Sequence, residues 1–141
     1  MSYTITVQIY QTNPDAFFRV VEETVWHGGT WSQVDGAYVL TIGGSGTYGS
    51  LRFKSDTDEY FIVTLGVHYY KGWGDIITNL SPSDTGVIIT PQYYSDQHRN
   101  RERQREAQLV SYSVKNAKGR NIGFSYSVSE GNDLVCKITI G

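Results

Sequence analysis

The 141-residue sequence predicts a mainly β fold, a small sandwich or barrel interrupted by one helical insertion. Three observations carry that prediction. Segment after segment alternates apolar and polar residues with the period of a half-buried strand. These segments are short and are closed off by Gly, Asp, Asn or Ser. Only one stretch, from Ser81 to Gln108, leaves that period for helix-forming residues.

Tyr3, Ile5, Val7 and Ile9 fall on one face of the first strand and are expected to point inward. Further strands are expected at Phe17–Trp26, Ala37–Ile42, Ser50–Ser55 and Tyr60–Tyr70, the last two pairing as a hairpin through Asp56-Thr57-Asp58. In the break, Ser81-Pro82-Ser83-Asp84 reads as a helix start with Ser81 as N-cap and Pro82 at the first helical position. A second helix is expected from about Asp96 to Gln108, which makes the insertion a helix-loop-helix. Strands resume at Leu109–Lys115, Asn121–Ser129 and Leu134–Ile140, with Glu130-Gly131-Asn132-Asp133 as the final turn.

The length fits a single domain over residues 1–141, and 39% hydrophobic against 18% charged residues is a globular composition. A net charge of -2 and a pI near 5.9 give no global attraction to nucleic acid or to anionic lipid. The one cysteine, Cys136, has no intrachain partner and lies in a strand-like run, which suits a reducing compartment. The opening Met1-Ser2-Tyr3-Thr4-Ile5-Thr6 lacks both the charged start and the apolar run of a secretory signal, so a cytoplasmic location is expected.

Catalytic signals are weak. Gly43-Gly44-Ser45-Gly46-Thr47 approaches a nucleophile elbow but lacks its final glycine and its strand-elbow-helix setting, and reads as a tight loop. His27, His68 and His98 show neither metal-ligand spacing nor a neighbouring carboxylate cluster, so no metal and no cofactor are expected. Arg99, Arg101, Arg103 and Arg105 are interleaved with Glu102 and Glu106, which favours a solvated helix face over a nucleic-acid surface. Arg101 and Arg105, one turn apart, leave room for one of them to reach a ligand. Eleven tyrosines and three tryptophans recur in segments such as Tyr69-Tyr70-Lys71-Gly72-Trp73-Gly74 and Tyr93-Tyr94, read as loops. Rings beside Asp, Thr and Arg suit a sugar, whose C–H face packs on an aromatic while its hydroxyls need polar partners. They suit a core or an interface equally well.

An ordered set of motifs goes further. Thr6-Val7-Gln8-Ile9-Tyr10-Gln11-Thr12-Asn13, Gly28-Gly29-Thr30-Trp31, Gly43–Thr47 with Gly49 and Leu51-Arg52-Phe53, and Gly66-Val67-His68 with Tyr70-Lys71 and Trp73 are the first part. Asp75-Ile76 with Thr78-Asn79-Leu80, Tyr93-Tyr94, Arg105-Glu106 with Gln108-Leu109 and Tyr112, and Asn116-Ala117-Lys118-Gly119-Arg120 complete it. Through them the chain resembles the fungal fruit-body lectins over nearly its full length. The resemblance implies an actinoporin-like β-sandwich, the fold of the sea-anemone pore-forming toxins, with two sheets joined by a helix-loop-helix. It also implies a homotetramer, glycans and glycoproteins as partners, membrane contact only through glycoconjugates, and no catalysis.

Two sugar sites per subunit are implied as well. The N-acetylglucosamine site of the family maps onto Asp75, Ile76, Thr78, Arg101 and Tyr112. In that reading Asp75 accepts from ring hydroxyls, Arg101 donates, Thr78 adds a hydroxyl, Tyr112 walls the sugar and Ile76 supplies backbone and apolar contact. Loss of Asp75 is expected to cost most, on the order of 2 to 3 kcal/mol. The site for galactose-β1,3-N-acetylgalactosamine maps onto Tyr48, Gly49, His68 and Tyr69, where the family has Ser and Asn at the two tyrosine positions. The loop bearing an Ala is shortened at His27-Gly28. Tyr48 and Tyr69 are expected either to fill this pocket or to remake it as a platform for another glycan. Gly72 and Gly74, for an Arg and a Cys in the family, are expected to alter the flexibility or depth of a loop beside the first site. A membrane-active protein of the anemone-toxin kind is the competing class, against which stands an N-terminal segment with the period of a strand.

Overall fold

The computed structural model describes residues 2–141. Along the chain run β1 (Tyr3–Gln11), β2 (Phe18–Trp26), β3 (Thr30–Val34), β4 (Ala37–Ile42), β5 (Thr47–Ser55), β6 (Tyr60–His68) and β7 (Lys71–Ile77). Then come α1 (Gly86–Ile89), a 3-10 turn (Thr90–Tyr94), α2 (Arg99–Ala107), β8 (Ser111–Lys115), β9 (Asn121–Val128) and β10 (Asp133–Ile140). One sheet has six strands in the order β3-β4-β1-β10-β9-β8, the other four in the order β2-β5-β6-β7. The helical segment connects β7 in the smaller sheet to β8 in the larger, so the expected sandwich with its helix-loop-helix is the fold observed.

The period of two places the core. Tyr3, Ile5 and Val7 of β1 are buried with Leu40, Phe124, Leu134, Cys136 and Ile138 of the same sheet. Leu51, Phe53, Phe61, Val63, Leu65, Val67 and Ile76 of the smaller sheet complete this inter-sheet core. The alternate residues of the smaller sheet face the other way, where Tyr48, Ile62 and Trp73 pack with Ile89 and Tyr93 of the helical segment. Both faces of β6 are therefore covered, which is why Tyr60–His68 reads as an almost unbroken apolar run. β1 pairs with β10 in parallel and with β4 antiparallel, so the N-terminal segment is an interior strand of the larger sheet and not a free amphipathic helix. Among the described residues no helix is long and apolar enough to cross a membrane.

Several expectations need correction. Lys71–Ile77 is a strand, although Tyr69 to Gly74 reads as a loop. Its two glycines are there for close approach: a Cβ on Gly74 would lie 2.6 Å from Phe124 Cζ, and one on Gly72 would lie 2.9 Å from Leu134 Cδ2. They let the opposing sheet's side chains reach the backbone of β7 and do not loosen a loop. The strand expected to run to Tyr70 ends at His68, because Tyr69 and Tyr70 take positive φ values of 48° and 63° and turn the chain into β7. β3 was not expected at all, and β5 begins at Thr47 and not at Ser50.

The helix start at Ser81 is also displaced. Asp84 accepts hydrogen bonds from the Ser81 amide (2.8 Å) and hydroxyl (3.0 Å), closing a turn that precedes the helix. α1 begins at Gly86, where Glu22 of β2 receives the free amides of Gly86 (2.7 Å) and Val87 (3.3 Å). A carboxylate more than sixty residues away thus does the work of a cap, and also suits the positive end of the helix. The second helix is shorter than expected, with Gln108 at a left-handed C-cap.

Candidate functional site

Between β7, α2 and β8 lies a cavity of about 490 Å³, lined by Asp75, Ile76, Ile77, Thr78, Asn100, Arg101, Arg103, Gln104 and Tyr112. The period of β7 determines what it delivers. Trp73 and Asp75 face the helical segment, whereas Ile76 turns its side chain into the inter-sheet core and is 5% exposed. Ile76 therefore offers the cavity mostly backbone. Thr78 follows at the end of the strand and is half-buried. Helical spacing brings Asn100, Arg103 and Gln104 to one side of α2 with Arg101 beside them. β8 supplies Tyr112, whose ring centroid lies 6.3 Å from that of Phe124. The five residues expected at the N-acetylglucosamine site are brought together here, around one cavity.

Asp75 forms its buried floor at 3% exposure. One carboxylate oxygen accepts from the Tyr93 hydroxyl at 2.7 Å and the other from Gln104 Nε2 at 3.0 Å. Burial pushes the carboxyl above its ordinary value; the bonds from Tyr93, the Ile76 amide and Gln104, and the charge of Arg101, offset this only in part. Burial and the same carboxylate raise the phenol of Tyr93 well above the usual range, so it stays a donor. With the Ile76 amide also bonded to it, the carboxylate keeps about one of its four or so acceptor positions for a ligand hydroxyl, fewer than a free aspartate offers. Arg101 spends only its Nε, on Gln92 Oε1 at 3.2 Å. Among the described residues its two terminal nitrogens have no partner and can donate to a ligand. Asn100 and Gln104 were not singled out from the sequence, and Arg103 was read only as part of a solvated helix face; the i+3 spacing of Gln104 from Arg101 and the i, i+3, i+4 spacing of Asn100, Arg103 and Gln104 were the signal that would have found them.

The second set of residues is arranged differently. Tyr48 is wholly buried, its hydroxyl donating to the Thr90 carbonyl and its ring 5.7 Å from Tyr94 and 6.0 Å from Trp26 in stacked orientation. Gly49 is buried, and a Cβ there would lie 2.9 Å from Trp31 Nε1. His68 is 7% exposed, with one ring nitrogen 3.2 Å from the Tyr94 hydroxyl and the other 3.1 Å from Glu106 Oε2. Of the four residues only Tyr69, at 70% exposure, presents a surface, and its ring centroid stands 4.3 Å from that of His68. Arg105, a candidate to reach a ligand, is instead spent within the fold. It donates to the Tyr93 carbonyl at 2.8 Å and to Glu106 at 2.7 Å, and its guanidinium carbon lies 3.9 Å from the centre of the Tyr94 ring.

Gly43 to Gly46 form a turn ahead of β5, with the Ser45 hydroxyl accepting from the Tyr70 amide at 3.1 Å. The expected tight loop is present, with no helix following it.

Residues 1–138 match the family model described as fungal fruit body lectin. The Boletus edulis lectin is 46% identical to this chain over 98% of each sequence. The crystal structure of wild-type Xerocomus chrysenteron lectin superposes with a TM-score of 0.96 at 48% identity, covering 100% of both chains.

Proposed function

Because the chain belongs to the fungal fruit body lectin family, a family of carbohydrate-binding proteins and not of enzymes, we propose that it binds N-acetylglucosamine-terminated glycans in the cavity between β7, α2 and β8. The observation that carries this is the convergence of Asp75, Thr78, Arg101 and Tyr112, from three separate elements, on one open cavity. The chemistry suits a pyranose. Asp75 accepts from adjacent hydroxyls at the floor, Arg101 donates to ring and acetamido oxygens, Thr78 adds a hydroxyl, and the half-buried Tyr112 packs against the C–H face.

In the same reading the galactose-type site is closed. Tyr48 occupies the space beneath it, and the ring nitrogens of His68 are already committed to Tyr94 and Glu106. A site that has lost its polar contacts rejects the sugar that needed them. We further propose a cytoplasmic homotetramer, in which weak single sites gain strength by avidity on glycoproteins and cell-surface glycoconjugates.

Calorimetric titration tests both halves. N,N'-diacetylchitobiose should give saturable heat, and galactose-β1,3-N-acetylgalactosamine none at the same concentrations. Silence with chitobiose would refute the first half, and heat with the galactose disaccharide the second.

A further inference from the structure

Of the seven arginines, Arg19 lies on β2, away from the cavity, and the other six divide into two groups. Arg52, Arg105 and Arg120 each pair with a carboxylate. Arg99, Arg101 and Arg103 make no ion pair among the described residues, and Arg99 and Arg103 make no side-chain hydrogen bond there. Arg101 and Arg103 line the cavity of about 490 Å³. Asn100 and Arg101 also line a neighbouring cavity of about 310 Å³, together with Gln97, His98 and Arg99. The two cavities share Asn100 and Arg101 in their linings, and three guanidinium groups border them.

Among the described residues the one carboxylate lining either cavity is Asp75, sunk at 3% exposure and bonded to Tyr93 and Gln104. Arg99 and Arg101 do not help the helix, since cations in its first turn oppose the helix dipole. A neutral sugar uses one such donor. Three planar forks without a carboxylate partner, two on the larger cavity and two on its neighbour with Arg101 common to both, match an anionic substituent, which they can hold by charge-assisted, paired hydrogen bonds.

We propose that this site takes a glycan in which the N-acetylglucosamine, or the sugar next to it, carries an anionic group, a sulfate ester or a carboxylate, held by Arg103 with Arg101 and Arg99. The inference rests on the cavity being a sugar site. Tyr112 and Asp75 seat the ring, and the arginines read the charge at its edge.

Titration of the full chain with three probes tests it: N,N'-diacetylchitobiose, N-acetylglucosamine 6-sulfate, and a glucuronic acid–N-acetylglucosamine disaccharide. At least one anionic probe should bind about tenfold tighter than chitobiose at low salt, the scale of one added charge-assisted hydrogen bond. That advantage should shrink as salt is raised. In Arg103→Gln the ratio of anionic to neutral affinity should fall toward one; Arg103 is exposed, so the substitution leaves the core untouched. Which probe gains distinguishes sulfate from carboxylate. Chitobiose binding with no gain for either anionic probe, or a gain that Arg103→Gln leaves intact, overturns the inference but not the sugar site. Failure of all three probes removes both.

Discussion

Arg120→Ala should lower folding stability by about 3–5 kcal/mol, the usual cost of orphaning a buried charge, measured by urea denaturation at pH 7. Arg120 Nε donates to Glu59 Oε1 at 2.8 Å and Nη2 to Oε2 at 3.1 Å, while Nη1 reaches Asp15 at 3.0 Å and the Gly141 carbonyl at 2.8 Å. This one side chain thus ties the β5–β6 turn, the β1–β2 loop and residue 141 to the β8–β9 loop. Glu59 also accepts from Asn116 Nδ2 at 2.6 Å and from the Thr57 hydroxyl. Burial alone would push the Glu59 carboxyl up; the bonds from Arg120, Thr57 and Asn116 outweigh it and hold the value at about 2. The native value lies below the ordinary 4.5, so the contribution is complete above pH 4.5 and drains away as pH falls toward 2. In Arg120→Ala that acid dependence should weaken or reverse, because the carboxylate is left in its burial without its partner. Arg120→Lys should not restore it, since an ammonium cannot present the fork that grips both Glu59 oxygens.

Asp75→Asn should abolish most N-acetylglucosamine binding, a loss of about 2–3 kcal/mol as for a charge-assisted acceptor, without unfolding the protein. Asparagine is the informative substitution. Alanine would strand the buried Tyr93 hydroxyl as well, and confuse binding with stability. Asn keeps an acceptor for Tyr93 and a polar group for Gln104. The native pKa of Asp75 is raised, so its contribution to stability is present below the ordinary 3.8 and lost as pH rises through the native value. Where it is ionised, above the native value, the buried carboxylate costs stability, and Asp75→Asn should there melt no lower than the parent. Binding runs the other way. Affinity for chitobiose should fall on acidification, with a midpoint above that of an ordinary aspartate, and the residual affinity of Asp75→Asn should lack that transition.

These two positions also show how much a sequence of this kind discloses. Strands with one buried face, such as β1 with Tyr3, Ile5 and Val7, are legible because the period of two is written in local residues. β7 is not, because the reason for Gly72 and Gly74 is Leu134 and Phe124, fifty or more residues away on the opposing sheet. β3 is a short edge strand with only Trp31 half-buried, so alternation is faint. Asp35-Gly36, the two-residue turn joining it to Ala37, was nevertheless a direct hairpin signal, with positive φ at both residues. The start of α1 was placed too early because its amides are capped by Glu22 across the fold and not by a neighbouring side chain.

For the site, resemblance supplied five residues, and the fold supplied their meeting. That Asp75 is a buried acceptor already shared with Tyr93 and Gln104, and that Ile76 points into the core, follow from the β7 register alone. The stretch Asn116–Arg120 was visible as a motif, but its work is to clamp Glu59, whose partnership crosses more than fifty residues. Likewise Tyr48 looked like a changed ligand contact, and its ring proves to be part of the packing between the smaller sheet and the helical segment.

The most direct measurement is a crystal structure of the protein soaked with N,N'-diacetylchitobiose. The terminal N-acetylglucosamine should lie between Thr78, Arg101 and Tyr112 with a hydroxyl on the Asp75 carboxylate. A sugar bound elsewhere, against Tyr69 and His68 for example, with this cavity empty, would contradict it.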